Sequence, residues 1–405
     1  MTDVATSPRM STSPDEVSAV ITNDIQLRNC IQCGMCSGVC PFGFLMDYPP
    51  TRMIAALRSK TFQKVNSSDT IWLCVACSAC TSVCPAQIPL TQNLMTWTKE
   101  ERVLSGMIPE ELQVAFENSQ RYGNPMGESP RKRTDWTRGI ESMVPVMGKD
   151  TKQAEVLWFV GDYASYHPRV QPATRTLALL LHRLGINFAI LGAEETSDGD
   201  SQRLAGERGL FELLAEKNGR ALRKYHFREI ITTDPHTYNA LKNEYPPLGI
   251  NYPIRHYTEF LAERLDGIRP KMTRELKAKV TYHDPCYLGR VNGIFQEPRQ
   301  LLQAIPGINL VEMPHSGKTS LCCGGGGGGM WLDGFQWEKA HVRLSEWRVR
   351  EALSVGADIL AVACPYEASR FEDATKTVKN AEGLLVRDIS ELLSDAMEPI
   401  KGGEL

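Results

Sequence analysis

Hydrophobic and polar residues follow two different patterns along this chain. Up to about residue 120, apolar positions recur at helical spacing, and prolines mark helix starts. Pro50-Thr51-Arg52 followed by MIAALRSK predicts a short helix. The segments PLTQNLMTWTKEERVLSG and PEELQVAFENSQRYG predict two more, the first ending near Gly106 and the second opening after Pro109. This part of the chain is therefore predicted to be mostly α-helical.

From about residue 155, short apolar strands alternate with helices. The order is the strand EVLWFVGDY, the helix TRTLALLLHRLG, the strand NFAILGAEE, the helix GLFELLAEKNGRALRKY and the strand EIITTDP. The same order returns in KVTYHDPCYLGR, PRQLLQAIPG, NLVEMPH, the long helix EKAHVRLSEWRVREALSVG, and ADILAVACPYE. Such alternation predicts parallel sheets with crossover helices.

The two α/β segments align as an internal repeat. Asp162 follows the first strand as Cys286 follows its counterpart, and Ser197-Asp198-Gly199 matches Cys322-Cys323-Gly324 at nearly equal spacing. Asp234-Pro235 then matches Cys364-Pro365. We expect two related lobes, with thiols at the strand ends of the second lobe only.

These patterns predict an α+β multidomain protein: an all-α region with two metal sites, then two pseudo-repeated α/β lobes with parallel sheets. The predicted divisions are a mobile tail, 1–20; the α-helical region, 21–120; a linker, 121–152; the first lobe, 153–262; and the second lobe, 263–400. The basic cluster Arg131-Lys132-Arg133 in the linker is interpreted as a solvated charged face rather than a docking patch.

Composition agrees with several domains and narrows the choice of partners. A chain of 405 residues is longer than a single hydrophobic core usually supports. Its content of 42% hydrophobic and 23% charged residues is ordinary for a globular protein. The net charge of −3 gives no general case for nucleic acid or an anionic membrane as a partner. The sequence shows neither a long apolar run nor a signal peptide. We expect a cytoplasmic protein, soluble or peripheral to the membrane through a partner.

Eight of the twelve cysteines form two copies of one run. The runs are Cys30-x-x-Cys33-x-x-Cys36-x-x-x-Cys40-Pro41 and Cys74-x-x-Cys77-x-x-Cys80-x-x-x-Cys84-Pro85. This is the bacterial ferredoxin pattern, in which the fourth cysteine of each run crosses to the other [4Fe–4S] cube. The predicted ligand sets are Cys30, Cys33, Cys36 and Cys84 for cluster 1, and Cys40, Cys74, Cys77 and Cys80 for cluster 2. Zinc and disulfides are the alternatives, but neither requires this run twice, and a reducing compartment argues against disulfides.

The remaining four cysteines predict a third cluster. Cys286, Cys322, Cys323 and Cys364 each fall at a strand-to-loop junction, and such junctions converge at one edge of a parallel sheet. Four thiolates satisfy one further [4Fe–4S]-type cluster, and the glycines 324–329 let backbone amides approach its sulfides. The alternative is a flexible glycine run beside ordinary buried thiols.

Three segments carry a family resemblance. HDPCYLGR, SLCCGGGGGGMW and ACPYE resemble the CCG cysteine-rich domain of heterodisulfide reductases. With the two cysteine runs before them, the chain over about residues 22–395 resembles a fusion of the C and B subunits of heterodisulfide reductase, as in the D subunit. Related subunits belong to sulfite-reduction-associated complexes, to glycolate and lactate oxidation and to class II benzoyl-CoA reductase complexes.

The chain departs from this family at two places. The first lobe reads GDYASY, ETSDGD and TTDPHTYN, without the cysteines that the heterodisulfide-reducing members carry there. Those members also place a second cysteine three positions after the last motif cysteine, where this chain has Glu367. The third site is then an ordinary cube or a modified cluster with Glu367 or His283 nearby. His283 is either a backbone-bonding loop residue or lies just behind the cluster, while His167 and His236 are interpreted as structural.

The resemblance implies electron transfer: a relay through two cubes to or from the CCG cluster, within a larger oxidoreductase complex. The six-glycine run lacks the context of a dinucleotide loop, so we expect no flavin or NAD on this chain, and a flavoprotein or other redox subunit as partner. A membrane-subunit partner is also compatible, in a soluble bifurcating or a quinone-linked complex. The alternative functions are direct reduction of a disulfide or related sulfur substrate at the CCG cluster, and a non-redox structural or oxygen-sensing role.

Overall fold

The computed structural model describes residues 25–398, and the predicted mobile tail, 1–20, lies outside this range. Within the described residues, no helix is long and apolar enough to cross a membrane.

The first part of the described chain is helical, as predicted. Its helices are α1 (Ile25–Arg28), α2 (Met35–Gly38), α3 (Pro50–Arg58), α4 (Phe62–Asn66), α5 (Ala79–Ser82), α6 (Thr96–Leu104) and α7 (Glu110–Tyr122). A π-helical segment, Leu90–Met95, leads into α6, and Pro109 caps α7. Helix α7 ends at Gly123, whose left-handed φ of 73° and close approach to Thr196 leave no room for a side chain.

The segment between α7 and the first sheet contains two 3₁₀ helices, Pro130–Thr137 and Glu141–Met143. Arg131 and Lys132 are exposed, but Arg133 is buried and its guanidinium lies 2.6 Å from carboxylate oxygens of both Asp162 and Glu195. The interpretation of this cluster as a solvated face is therefore wrong for Arg133. Two carboxylates from separate segments of the first lobe hold this one basic side chain inside the protein, because a buried cation needs paired charges.

The first lobe is a four-stranded parallel sheet with the order β2-β1-β3-β4. Its strands are β1 (Val156–Trp158), β2 (Phe188–Ile190), β3 (Glu229–Thr232) and β4 (Ile254–His256). Its helices are α8 (Asp162–Tyr166), α9 (Gln171–Arg183), α10 (Asp200–Leu204), α11 (Arg208–Leu222), α12 (Pro235–Asn239), α13 (Tyr257–Ala262) and α14 (Leu265–Ile268).

The second lobe repeats this topology, with the order β6-β5-β7-β8 and parallel pairing throughout. Its strands are β5 (Ala278–Tyr282), β6 (Ile308–Leu310), β7 (Ile359–Val362) and β8 (Leu385–Asp388). Its helices are α15 (Gln296–Ala304), α16 (Asp333–Ala340), α17 (Leu344–Ser354), α18 (Pro365–Thr377) and α19 (Ile389–Asp395). The predicted pair of pseudo-repeated α/β lobes is confirmed.

Two details differ from the sequence expectation. The edge strands β4 and β8 were not predicted, because each is short and contains charged residues. The single long helix expected before β7 is two helices, α16 and α17, separated at His341, whose backbone is left-handed with φ of 51°. Side chains on both sides of this break interact, since Arg343 Nε donates to Asp333 Oδ2 at 2.8 Å.

Two hydrophobic cores set the position of the cysteines. One core runs through both lobes and includes Trp158 and Leu177 from the first lobe and Leu360 from the second. Helix α9 packs on α19, and α13 packs on α15, so the lobes form one body. A second core joins the helical region to both lobes and contains Cys36, Cys77, Cys286 and Cys322. These four predicted cluster ligands therefore lie where the helical region docks onto the lobes.

Candidate functional site

The last four cysteines lie together at the carboxyl edge of the second sheet. Cys286 follows β5, Cys322 and Cys323 lie in the long connection after β6, and Cys364 caps the N-terminus of α18 directly after β7. All four are buried. Parallel strands end at one edge of their sheet, and this topology brings residues from three loops into one place.

Contacts among these thiols show how compact the site is. The Cys322 thiol is in hydrogen-bonding contact with the thiols of both Cys286 and Cys323. Contact with Cys322, together with the nearby Arg370, lowers the pKa of Cys323 to about 6. Burial raises the pKa of Cys364 well above the usual thiol value, and Cys323 also contributes to this rise. Four convergent buried sulfurs fit the donor set of an iron–sulfur cluster.

The glycine run after Cys323 turns tightly around this site. The amides of Gly324 and Gly325 donate to the sulfurs of Cys322 and Cys323 at 3.3 and 3.4 Å. A Cβ on Gly329 would lie 2.1 Å from the carbonyl oxygen of Gly324, and a Cβ on Gly326 would lie 2.7 Å from that of Val75. The run therefore does more than give flexibility, because it fits between the sulfurs and the backbone of the second cysteine run.

The second cysteine run and the last four cysteines meet directly. The thiols of Cys77 and Cys322 are in hydrogen-bonding contact, which lowers the pKa of Cys77 to about 6. Arg290 Nε donates to the Cys77 carbonyl at 2.9 Å, and its other nitrogen Nη1 donates to the carbonyl of Ser320. Lys99, wholly buried, bridges the same junction, since Nζ donates to the carbonyls of Cys74 at 2.6 Å and Gly327 at 2.7 Å.

The two ferredoxin-type runs lie side by side through the contact of α2 with α5. Burial raises the pKa of Cys40, and Cys74, Cys77 and Cys80 add to the rise, so Cys40 sits among three thiols of the other run. This is the neighbourhood that the crossed ligand set for cluster 2 requires. The corresponding set for cluster 1, with Cys84 joining Cys30, Cys33 and Cys36, stays a prediction.

In each run, a threonine hydroxyl lies next to the third cysteine. Cys36 Sγ lies 3.2 Å from Thr51 Oγ1, and Cys80 Sγ lies 3.4 Å from Thr91 Oγ1. Ser37 and Thr81, one position after these cysteines, donate to the same threonines. The two runs are thus held in matching local structures.

His283 and Glu367 lie buried beside the last four cysteines. His283 Nε2 is 3.2 Å from Glu367 Oε1, and His283 Nδ1 accepts from Arg348 Nε at 2.9 Å. Burial lowers the pKa of His283 well below its ordinary value, and Arg348 lowers it further. Ligand atoms of His283, Cys323 and Glu367 lie within 4.8 Å of one another. Each ring nitrogen of His283 thus faces a charged side chain, Arg348 at Nδ1 and Glu367 at Nε2, rather than a backbone group.

The corresponding edge of the first lobe is lined by oxygen atoms instead of thiols. Asp162, Asp198 and Asp234 are buried there, at the positions that match the cysteines. Thr237 Oγ1 donates to Asp198 Oδ2 at 2.7 Å, and Arg133 donates to Asp162. Hydrogen bonds to neighbouring side chains and backbone stabilise these carboxylates.

His236 is a residue of this edge that sequence reasoning assigned to structure alone. Its ring lies 4.2 Å from the ring of Tyr287, and a Cβ on Gly326 would approach it to 3.4 Å. Its Nδ1 lies 2.9 Å from Asp200 Oδ2. The first lobe thus contacts the loops that carry the second lobe's cysteines. The signal available in the sequence was its place two residues after Asp234, in register with Tyr366 after Cys364.

Comparison with known proteins divides the chain in the same way as its cysteines. Residues 26–88 match the family described as 4Fe-4S dicluster domain, and residues 280–366 match the CCG family, described as Cysteine-rich domain. Together these two segments contain all twelve cysteines.

Relatives extend the likeness to most of the chain. The D subunit of dihydromethanophenazine:CoB–CoM heterodisulfide reductase from Methanosarcina barkeri is 31% identical over 92% of this chain and 94% of its own length. The chain belongs to the family of heterodisulfide reductase D subunits. The predicted resemblance is therefore confirmed, and this family assignment supports iron–sulfur clusters in both the helical region and the CCG domain.

Longer members of this family contain a similar segment. The probable iron-sulfur-binding oxidoreductase FadF of Bacillus subtilis and the EtfAB:quinone oxidoreductase of Syntrophomonas wolfei are each 35% identical over 82% of the chain. The chain spans about half the length of these two relatives, 47% in each case. An oxidoreductase role is common to the three names, and the name of the Bacillus subtilis relative also states iron–sulfur binding.

Proposed function

We propose that this chain is an electron-transfer subunit of a larger oxidoreductase complex. The proposed path runs between the two ferredoxin-type clusters of the helical region and a third cluster in the CCG domain. When bound, such clusters supply one-electron transfer. The proposed ligands are Cys30, Cys33, Cys36 and Cys84; Cys40, Cys74, Cys77 and Cys80; and Cys286, Cys322, Cys323 and Cys364.

The observation that carries the proposal is the contact between the thiols of Cys77 and Cys322. One residue is a proposed ligand of cluster 2 and the other a proposed ligand of the CCG cluster. The two proposed cluster sites are therefore adjacent, and a thiol of one faces a thiol of the other. These residues come from different parts of the fold. The docking of the helical region onto the second lobe therefore brings the two thiols together.

Arg290 supports the same proposal electrostatically. Burial opposes its charge, but the neighbouring thiols, with Cys77 and Cys286 first, raise its pKa. A permanent buried cation beside both sites stabilises added negative charge on either of them, and charge near a cluster is one determinant of its potential. Arg290 would thus favour reduction of the clusters on either side of it.

The partner that we propose is a flavoprotein or another redox subunit, with a membrane subunit as a further component. Two relatives support this choice by name, one as an EtfAB:quinone oxidoreductase and one as a subunit of heterodisulfide reductase. The cofactor that meets the substrate would then lie on another polypeptide. We propose no nucleic-acid partner.

Turnover measurements separate a relay from catalysis at the CCG cluster. The full chain, purified without oxygen, is mixed with a reduced viologen dye, with and without a disulfide. We expect no acceleration by the disulfide, together with rapid reduction of the chain by a flavoprotein partner. A rate with disulfide about twenty-fold above buffer would instead establish direct reduction, with the four cysteines as its site.

Iron content tests the number of sites. Cys286→Ser is expected to remove about four iron atoms per chain and to leave both ferredoxin-type signals in electron paramagnetic resonance. Ser354→Ala, on the surface of the same lobe, serves as a control that keeps all the iron. Loss of iron from every site in Cys286→Ser would contradict the separation of the CCG site from the other two.

A further inference from the structure

Glu367 places a buried carboxylate beside the last four cysteines. It lies in the first turn of α18, three residues after Cys364, and its side chain is 1% exposed. Residues three apart share one face of a helix, so this carboxylate points to the side of α18 on which Cys364 lies. The Glu367 oxygen, Cys323 Sγ and a His283 nitrogen are all within 4.8 Å of one another.

One oxygen of this carboxylate lies next to His283, whose ring is held by a hydrogen bond from Arg348. A guanidinium only donates, so His283 Nδ1 must accept from Arg348 Nε, which lies 2.9 Å away. The hydrogen of the neutral imidazole is then on Nε2, which faces Glu367 Oε1 at 3.2 Å. The N–H of His283 therefore faces Oε1 and favours this orientation of the carboxylate.

The backbone amide of Ala363 lies close enough to the carboxylate to lower its pKa, but one oxygen still lacks a hydrogen-bond partner among the described residues. Glu367 Oε2 is buried and lacks a hydrogen-bond partner. Leaving a buried oxygen acceptor unpaired is unfavourable, and more so when it is charged. Burial raises the pKa of this carboxyl, and after burial the thiols of Cys323 and Cys286 contribute most to the rise. A buried carboxylate with one unpaired oxygen thus lies beside the proposed cluster ligands.

We propose that Glu367 is an oxygen ligand of the CCG cluster, with His283 and Arg348 as its positioning residues. The inference rests on the third cluster of the proposed function. Carboxylate oxygen is a regular iron ligand, and here it adds a fifth protein ligand to four thiolates. A cluster held in this way has one iron that differs chemically from the others.

The direct test is magnetic coupling between the cluster and a labelled carboxylate. The full chain is produced with ¹³C at the carboxyl carbon of glutamate and purified without oxygen. We expect electron–nuclear double resonance on the third paramagnetic signal to show a ¹³C coupling in the parent protein. Absence of that coupling from the parent protein overturns the inference.

Variants assign the coupling to one residue. Glu367→Gln and Glu367→Cys are expected to lose it. Glu346→Gln is the matched control, because Glu346 is a buried glutamate of the same lobe that bonds Arg350 and Thr377 and should leave the coupling intact. If Glu367→Gln fails to hold the cluster, Glu367→Cys decides. A coupling that persists in a cluster-bearing Glu367 variant overturns the assignment.

The positioning residues have their own readout. His283→Gln keeps a donor toward the carboxylate and should preserve the ¹³C coupling constant, whereas His283→Leu removes the donor and should change it. An unchanged coupling in His283→Leu would refute the positioning role.

Iron analysis separates this inference from the proposed function. A chain with about twelve iron atoms and three signals, but no carboxylate coupling, rejects the Glu367 ligand alone. A chain with about eight iron atoms and two signals rejects the third cluster, and with it both proposals.

Discussion

A single thiol, Cys77, lies in two environments. It belongs to the second ferredoxin-type run, and it also contacts Cys322 at the CCG site. No local pattern distinguishes it from Cys33, its counterpart in the first run, which is exposed. The difference arises because only the second run faces the docked lobe. The spacing of a motif therefore predicts ligands, whereas the position of the motif in the fold decides which ligand connects to the next site.

Cys84→Ser tests the crossed ligand sets. Cys84 is in the second run but is predicted to hold cluster 1, so the variant should lose the same paramagnetic signal as Cys33→Ser. The matched variant is Cys40→Ser, which should lose the other ferredoxin-type signal. A Cys84→Ser protein in which only the signal sensitive to Cys40→Ser changes would rule out the crossing.

His256→Gln tests how burial of a neutral imidazole makes stability depend on pH. Burial lowers the pKa of His256 to about 3, and its Nδ1 and Nε2 bind Thr258 Oγ1 and the carbonyl of Thr233. The folded pKa lies below the unfolded value of about 6.5, so the unfolded chain takes up the proton more readily. Native stability is then lost as pH falls below about 6.5, by up to about 1.4 kcal/mol per pH unit.

Urea unfolding at about pH 7.5 and about pH 5.5 measures this effect. The loss of unfolding free energy over that interval should be about 1 kcal/mol smaller in His256→Gln than in the parent. His182→Gln, on the exposed face of α9, should behave as the parent does. Equal losses in His256→Gln and the parent would show that His256 does not control acid stability.

At the scale of elements, the chain could be predicted where the local pattern is strong. Helices α3 and α7 begin at Pro50 and after Pro109, as predicted. The strands that precede the cysteine-containing loops lie at the predicted apolar runs. The edge strands β4 and β8 were missed because their residues give no clear alternation. The break at His341 was missed because neither glycine nor proline marks this left-handed residue.

The glycine run was predicted to let backbone amides approach a cluster, and the structure shows a close fit rather than a flexible segment. Gly329→Ala places a Cβ 2.1 Å from a backbone oxygen, so we expect lowered thermal stability and loss of the CCG cluster's iron. Gly334→Ala is the matched control, because that position in α16 has open space and alanine favours a helix by up to about 1 kcal/mol. Equal iron content and melting temperature in the two variants would disprove the close fit.

At the scale of the whole molecule, the helical region and the second lobe share a hydrophobic core and a polar bridge. The polar bridge is Lys99, whose ammonium group joins the carbonyls of Cys74 and Gly327 with no exposure to water. Burial lowers its pKa, and Cys74 opposes that change. The bridge fixes the second run against the glycine run, and with it the contact of Cys77 with Cys322.

Lys99→Met keeps the length of the side chain but removes its donors. Two buried carbonyls then lose a partner, at a cost of about 1–3 kcal/mol each. We expect faster hydrogen exchange in residues 74–77 and 324–329, while Lys64→Met, on an exposed position of the helical region, leaves both segments protected. Unchanged exchange in Lys99→Met would show that the hydrophobic core alone holds the regions together.

The sequence by itself determined the family, the two ferredoxin-type runs and the repeated lobes, because each depends on spacings within one element or between consecutive elements. Only the tertiary structure decided the junction. Lys99 and Gly327 are 228 positions apart, Arg290 and Cys77 are 213 apart, and Arg133 turns inward to carboxylates from separate segments of the first lobe. The orphan oxygen of Glu367 is of the same kind. Whether a polar group is satisfied depends on what folding brings next to it, and no local pattern contains that information.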